Sequence, residues 1–178
     1  DPSIPDPVAY VQGVLDQVNV CILIPVYNEC KEIGRLVESL KQKNFDVLVV
    51  DDGSSDDSGK AAREQGAVVI RHDQKQGKGR SLRDGFEFIL KGKKYDGVVT
   101  IDGDGQHDPQ SIPRLLDALA GADLVVGWRA RRGPMPFSRV LSNGFSSVLV
   151  SLAARRPLGD VHSGFRAYRA ERLAGLEI

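Results

Sequence analysis

Two rhythms of apolar residues take turns along this chain: unbroken β-branched runs, and stripes recurring every three or four positions. VNVCILIPV (18–26) is a buried-strand run, and Glu32 to Lys43 follows with Ile33, Leu36, Val37 and Leu40 on one helical face. DVLVVDD (46–52) predicts a second strand, with a helix over Asp57 to Gln65 stopped by Gly66. AVVIRH (67–72) predicts a third strand, and the turn QGKG leads into a helix over Arg80 to Leu90. YDGVVTID (95–102) predicts the fourth, and Pro109 opens a helix carrying Ile112, Leu115, Leu116 and Leu119. ADLVVGWR (122–129) predicts the fifth. Ahead of them, Val8, Val11, Leu15 and Val18 recur at helical spacing behind a proline-rich lead-in.

Alternating strands and helices predict a three-layer α/β protein with a mainly parallel sheet of five strands. Residues 1–18 are expected to be a lead-in and short helix, and 19–178 a single domain. Open sheets of this kind bind ligands beyond the carboxyl ends of their strands. The chemistry is therefore sought in PVYNE, DDGSSD, DGDGQHD and GWR.

Composition narrows the classes. With 178 residues, 41% of them hydrophobic, and 24 basic against 24 acidic side chains, the chain is expected to bury a core without staples. Cys21 and Cys30, the two cysteines, form neither a CxxC pair nor a metal-ligand cluster. The longest uncharged run, Val140 to Ala154, is fifteen residues with several serines, too short to span a bilayer. Net neutrality hides one asymmetry: Arg129 to Arg156 holds six arginines and no acid, a stretch suited to an anion.

Asp51, Asp52, Asp102 and Asp104 place four carboxylates at one sheet edge, where they repel unless a cation sits among them. In Asp102-Gly-Asp104-Gly-Gln106 the glycines permit a tight turn, and alternate side chains offer the hard oxygen ligands that Mg²⁺ or Mn²⁺ prefers. Competing motifs fail on spacing. A calcium loop would need different residues at Gln106, His107 and Pro113, and a phosphate-binding P-loop would need Gly at His72 and Ser or Thr at Gly79. A phosphatase with Asp102 as strand-end nucleophile is the stronger rival, although that scheme would open on its first strand.

CILIPVYNE (21–29), VVDDGSSD (49–56), GKGRSLRDGF (77–86), IDGDGQHDP (101–109) and HSGFRAYR (162–169) together resemble glycosyltransferase family 2, the nucleotide-sugar-dependent inverting enzymes of the GT-A fold. Within it the chain is most similar to the dolichol- and polyprenol-phosphate mannosyl- and glucosyltransferases. The resemblance implies that Pro25, Tyr27 and Glu29 line a nucleotide pocket, that Asp52 contacts base or ribose, and that Lys78 and Asp102 approach the donor. It implies a Mg²⁺ or Mn²⁺ site at Asp102, Asp104 and Gln106, Asp104 being catalytic. Arg166 matches the arginine facing the reacting phosphates, and Arg129, Arg139 and Asn143 fall where acceptor-phosphate contacts lie, Asn143 replacing a small hydroxyl residue.

The partners so implied are a nucleotide sugar, GDP-mannose or a UDP-sugar, and a polyprenyl phosphate acceptor, with no nucleic acid. A phosphate acceptor arrives anionic and needs cations, which the arginines supply. A sugar-hydroxyl acceptor would need a base, for which Asp160 is the nearest carboxylate before SGFR. A non-catalytic nucleotide-sugar-binding module is the remaining alternative. The expected location is cytoplasmic, at the cytoplasmic face of a membrane, where the stripe of Phe137, Leu141, Phe145, Val148, Leu149 and Leu152 offers either a surface-resting or a core-packing helix. Members of this subgroup often continue past SGFR into amphipathic or transmembrane helices, so a catalytic domain cut from a longer protein is the simplest expectation, with a naturally short soluble form as the alternative.

Overall fold

The structure, a computed structural model, describes residues 18–92, 94–127 and 163–173. Four strands, β1 (Val20–Val26), β2 (Asp46–Asp51), β3 (Val68–Arg71) and β4 (Gly97–Thr100), run parallel and form the centre and one flank of a six-stranded sheet. Helices α1 (Cys30–Lys41), α2 (Ser58–Glu64) and α3 (Lys78–Lys91) connect them. A 3₁₀ turn (Pro109–Ser111), helix α4 (Ile112–Leu119) and strand β5 (Leu124–Val126) follow, and the chain re-enters the sheet as β6 (Arg166–Arg169) before α5 (Ala170–Leu173).

The pleat of β1 explains the layers. Val20, Ile22, Ile24 and Val26 point to one face and pack with Ile33, Val37 and Leu40 of α1, Ala62 of α2, and Ile112 and Leu116 of α4. Cys21 and Leu23 point to the other, where Phe86 and Ile89 of α3 and Leu173 of α5 cover them. A strand buried on both faces must be apolar throughout, which is why VCILIPV shows no alternation.

The strand order is β3-β2-β1-β4-β6-β5: the chain winds from β1 outward through β2 to β3, and the next crossover carries it from β3 back to β4 on the other side of β1. The crevice between the ends of β1 and β4 is therefore the topological switch point. Here the expected sheet of five strands is corrected. The sixth strand comes from SGFRAYR, and it inserts antiparallel between β4 and β5, which otherwise would be neighbours. RAYR carries no apolar run, and only Ala167 is fully buried, so its strand state comes from two flanking ladders and not from its own pattern. Helix α3 begins at Lys78, two residues ahead of the expected Arg80.

Helix α3 lies flush on β1 because residue 85 is glycine: a Cβ there would overlap the side chain of the fully buried Leu23. Gly85→Ala should therefore destabilise the protein by about 1–3 kcal/mol. Denaturant unfolding checks this, and the loss should shrink when Leu23→Val is added to make room.

Candidate functional site

Four loops leave the carboxyl ends of β1 to β4 and enclose a cavity of about 250 Å³. The first loop supplies Pro25, Tyr27 and Glu29 to its wall. Asn28 adopts the left-handed conformation (φ 58°), which short amide side chains tolerate. Its Oδ1 accepts from the Ser55 N–H at 2.8 Å, and its own N–H donates to Ser54 Oγ at 3.0 Å. The N–H groups of Glu29 and Cys30, at the start of α1, donate to Ser58 Oγ (2.9 Å) and Asp56 Oδ2 (3.1 Å). The second loop thus caps the helix of the first, and the Glu29 side chain makes no cap bond of its own.

In that second loop Asp51 is fully buried, pairs with Arg71 at 2.8 Å and accepts from the Ser54 N–H at 2.9 Å. Asp52, also buried, reaches across to the third loop: it accepts from the N–H groups of Gln76 and Gly77 and meets His72 Nδ1, each at 2.8 Å. Gly53 (φ 74°) lets the loops touch, because a Cβ there would lie 2.7 Å from the backbone of Gln74. The third loop returns Lys75 to the cavity wall, its Nζ 3.8 Å above the Tyr27 ring. Lys78, opening α3, pairs with Asp102.

The fourth loop contributes Asp102, Gly103 and Asp104. Gly105 (φ 69°) makes the turn, and the Gln106 N–H donates to Asp104 Oδ1 at 3.0 Å. His107 is buried, its ring 5.1 Å from that of Phe165 and its Nε2 3.9 Å from Asp102 Oδ2, as a packing residue behind the site. Strand β6 closes this side: Thr100 Oγ1 donates to the Gly164 carbonyl at 2.8 Å, and a Cβ on Gly164 would collide with the Asp102 carboxylate.

Pro25, Tyr27, Glu29, Asp52, Lys78, Asp102 and Asp104 line the cavity. Gln106 is exposed and outside the wall. Arg166 stands opposite Thr100 in the ladder, its Nε donating to the Ser163 carbonyl at 2.8 Å, and it too is absent from the wall. Arg129, Arg139, Asn143, Asp160 and the stripe from Phe137 lie outside the described residues. Lys75 and Ser81 line the wall without having been anticipated; the only trace of Lys75 in sequence is its place beside the glycine-rich turn.

Three of the four strand-end carboxylates find side-chain partners within the protein: Arg71 for Asp51, the His72 ring for Asp52 and Lys78 for Asp102. Their crowding therefore does not by itself demand a metal, and among the described residues no three His, Cys, Asp or Glu side chains cluster as a metal site. Asp102 and Asp104 remain side by side on the wall as hard oxygen donors, a set that fits Mg²⁺ or Mn²⁺ when a ligand brings further oxygens.

Burial pushes the Asp52 carboxyl up, but the Gln76 N–H, the His72 ring and the Gly77 N–H outweigh it and hold the group below its ordinary 3.8. Asp84 is likewise lowered, burial being outweighed by Arg80 and His72, and so is Asp56, by its bonds to Ser58 and Cys30.

Residues 21–174 match the family described as Glycosyl transferase family 2. The chain belongs to that family. Among its relatives, this family 2 chain is 35% identical over 174 residues to the undecaprenyl-phosphate mannosyltransferase of Micrococcus luteus, covering 90% of this chain and 70% of that protein. It is 32% identical over 176 residues to the dolichol-phosphate mannosyltransferase of Pyrococcus furiosus, covering 90% of this chain but 49% of that protein. A crystal structure of glucosyl-3-phosphoglycerate synthase from Mycobacterium tuberculosis with Mn²⁺ and UDP-glucose superposes with a TM-score of 0.72 at 23% identity, covering 97% of this chain and 64% of that one. The architecture is the GT-A fold, and within family 2 the chain is most like the polyprenol-phosphate mannosyltransferases.

The lowered carboxyls make stability pH-dependent with a definite sign. A group whose folded value lies below its unfolded one stabilises the protein fully above the unfolded value, 3.8, and that contribution disappears as pH falls through the folded value. Urea unfolding should give a plateau above about pH 5 and a decline below about pH 4. Asp52→Asn should be less stable on the plateau and decline less steeply.

Proposed function

We propose that this chain is a catalytic domain, residues 19–178, transferring a sugar with inversion from a nucleoside diphosphate sugar to a polyprenyl phosphate, with Mg²⁺ or Mn²⁺ as cofactor. The observation that carries the proposal is the cavity at the switch point, whose wall holds an aromatic ring, acceptor carboxylates, two lysines and the Asp102–Asp104 pair. The names of the Micrococcus and Pyrococcus relatives support the lipid phosphate acceptor, and the Mycobacterium complex supports a nucleotide sugar with a divalent metal.

In this mechanism Tyr27 offers the base a stacking face, while Glu29 and Asp52 accept from ribose or base donors. Asp52 retains accepting capacity on Oδ2, which takes one bond, from the Gly77 N–H. Lys78 places its ammonium where the diphosphate would lie, and Asp102 and Asp104 would hold the cation. That cation supplies Lewis-acid neutralisation of the departing diphosphate, worth several kcal/mol of barrier. An acceptor phosphate oxygen attacks the anomeric carbon opposite the diphosphate, the bond to the diphosphate oxygen breaks, and the configuration inverts. Because the phosphate is already anionic, no general base is required; on this reading Arg129, Arg139 and Asn143, which lie outside the described residues, and Arg166, at the start of β6, would hold it. GDP-mannose and UDP-glucose are the leading donors.

A membrane-face location follows from a lipid acceptor. Among the described residues no helix is long and apolar enough to cross a membrane.

Incubating the chain with labelled GDP-mannose or UDP-glucose, Mn²⁺ and a short polyprenyl phosphate should yield a mild-acid-labile glycolipid. Asp104→Ala should lower its formation at least about a hundredfold while leaving thermal unfolding within a few degrees. Transfer to a free sugar with none to the phosphate, or metal-dependent nucleotide binding unchanged in Asp104→Ala, would overturn the assignment.

A further inference from the structure

Residues 73–77, the sequence DQKQG, are mostly exposed and carry no apolar side chain that could anchor them. Yet this segment places Lys75 above Tyr27 and delivers Lys78 to Asp102, so two features of the cavity wall depend on where it lies. Polar ties must hold it. Asp52 supplies two of them through the Gln76 and Gly77 N–H groups.

Asp52 is itself held from behind by a side chain that does not line the cavity. The His72 side chain is 6% exposed; its Nδ1 lies 2.8 Å from Asp52 Oδ1 and its Nε2 lies 3.1 Å from Asp84 Oδ2. Asp84, on α3, is in turn fixed by Arg80 Nε at 2.8 Å, one helical turn earlier. Each ring nitrogen thus meets one carboxylate, Asp52 on one side and Asp84 on the other. The imidazole thereby links the end of β2 to the body of α3 across the base of the loop.

We propose that His72 is a positioning residue for the nucleotide: through the chain Asp52–His72–Asp84 it fixes the 73–77 loop, and with it Lys75 and Lys78, at the cavity wall. The proposal rests on the cavity taking a nucleoside diphosphate. His72 does not itself reach the cavity, and it acts by setting the orientation of the Asp52 carboxylate. The lowered carboxyls of Asp52 and Asp84 accord with both staying ionised against the ring.

Three measurements on the 178-residue chain test this, one needing no ligand. In His72→Ala and Asp84→Ala, amide hydrogen exchange at Gln76 and Gly77 should accelerate about tenfold or more, while amides in the centre of β1 keep their protection. With UDP and GDP as probes in the presence of Mn²⁺, calorimetry should show the nucleotide that binds the unsubstituted chain binding about tenfold more weakly to both variants. Asp84→Asn, whose amide oxygen still accepts from the ring, should bind within about twofold of the unsubstituted chain. In a transfer assay the defect should fall on the donor KM, with kcat within about twofold. Unchanged exchange at Gln76 and Gly77 in both alanine variants, or unchanged nucleotide affinity where the parent binds, would overturn the role of His72. If the parent binds neither UDP nor GDP, the nucleotide-site reading fails instead, and the exchange result still decides whether His72 holds the loop.

Discussion

Negative charge gathered at one edge of a parallel sheet has to be compensated, and the arrangement of this pocket follows from how that is done. Asp51 is compensated deep in the protein by Arg71 from the neighbouring strand. Asp52 is compensated halfway out, by a histidine and two backbone N–H groups. Asp102 is compensated at the wall by Lys78, whose side chain is 48% exposed. Asp104 accepts from the N–H of its own turn. The gradient runs from structural pairing inside to a carboxylate facing the cavity, where an incoming cation and an anionic ligand can both be accommodated.

Close backbone approaches make this compensation possible. Gly53 brings the second and third loops together, so that Asp52 can reach the Gln76 and Gly77 amides. Gly164 lets the incoming β6 lie directly on the Asp102 carboxylate. Strand β6 therefore completes the sheet between β4 and β5 and also walls off one side of Asp102, leaving its other side to Lys78. Stability and site geometry share these contacts, so substitutions at either glycine would disturb both.

Strands β1, β2 and β4 were legible because a strand buried on both faces writes a continuous apolar run, as VCILIPV and DVLVVD do, and the edge strand β3, only partly buried, was legible from its short β-branched run. Strand β6 was not, because RAYR gets its extended state from neighbours distant in sequence. Parallel strands deliver their following loops to one edge, which is why Tyr27, Asp52 and Asp102, from three separate strand-end motifs, line one cavity. What the motifs could not reveal was the pairing among those residues. Asp51–Arg71 and Asp52–His72 span 20 positions, brought together by the register of β2 on β3, and Lys78–Asp102 spans 24, joining the start of α3 to the loop after β4. For that reason the four carboxylates read as a demand for metal, when the fold meets most of that demand with its own side chains. Gln106 and Arg166 carry strong motif signals yet stand off the cavity wall, because a motif gives the order of residues along a turn and not the direction of each side chain.

The most direct test is a crystal structure of this chain with Mn²⁺ and the nucleoside diphosphate it binds, with the metal located by its anomalous signal. The account predicts manganese within ligand distance of Asp104 and of the diphosphate oxygens, the base against Tyr27, and the 73–77 loop still tied to Asp52. Manganese bound away from Asp104, or a nucleotide seated outside the cavity between the ends of β1 and β4, would contradict it.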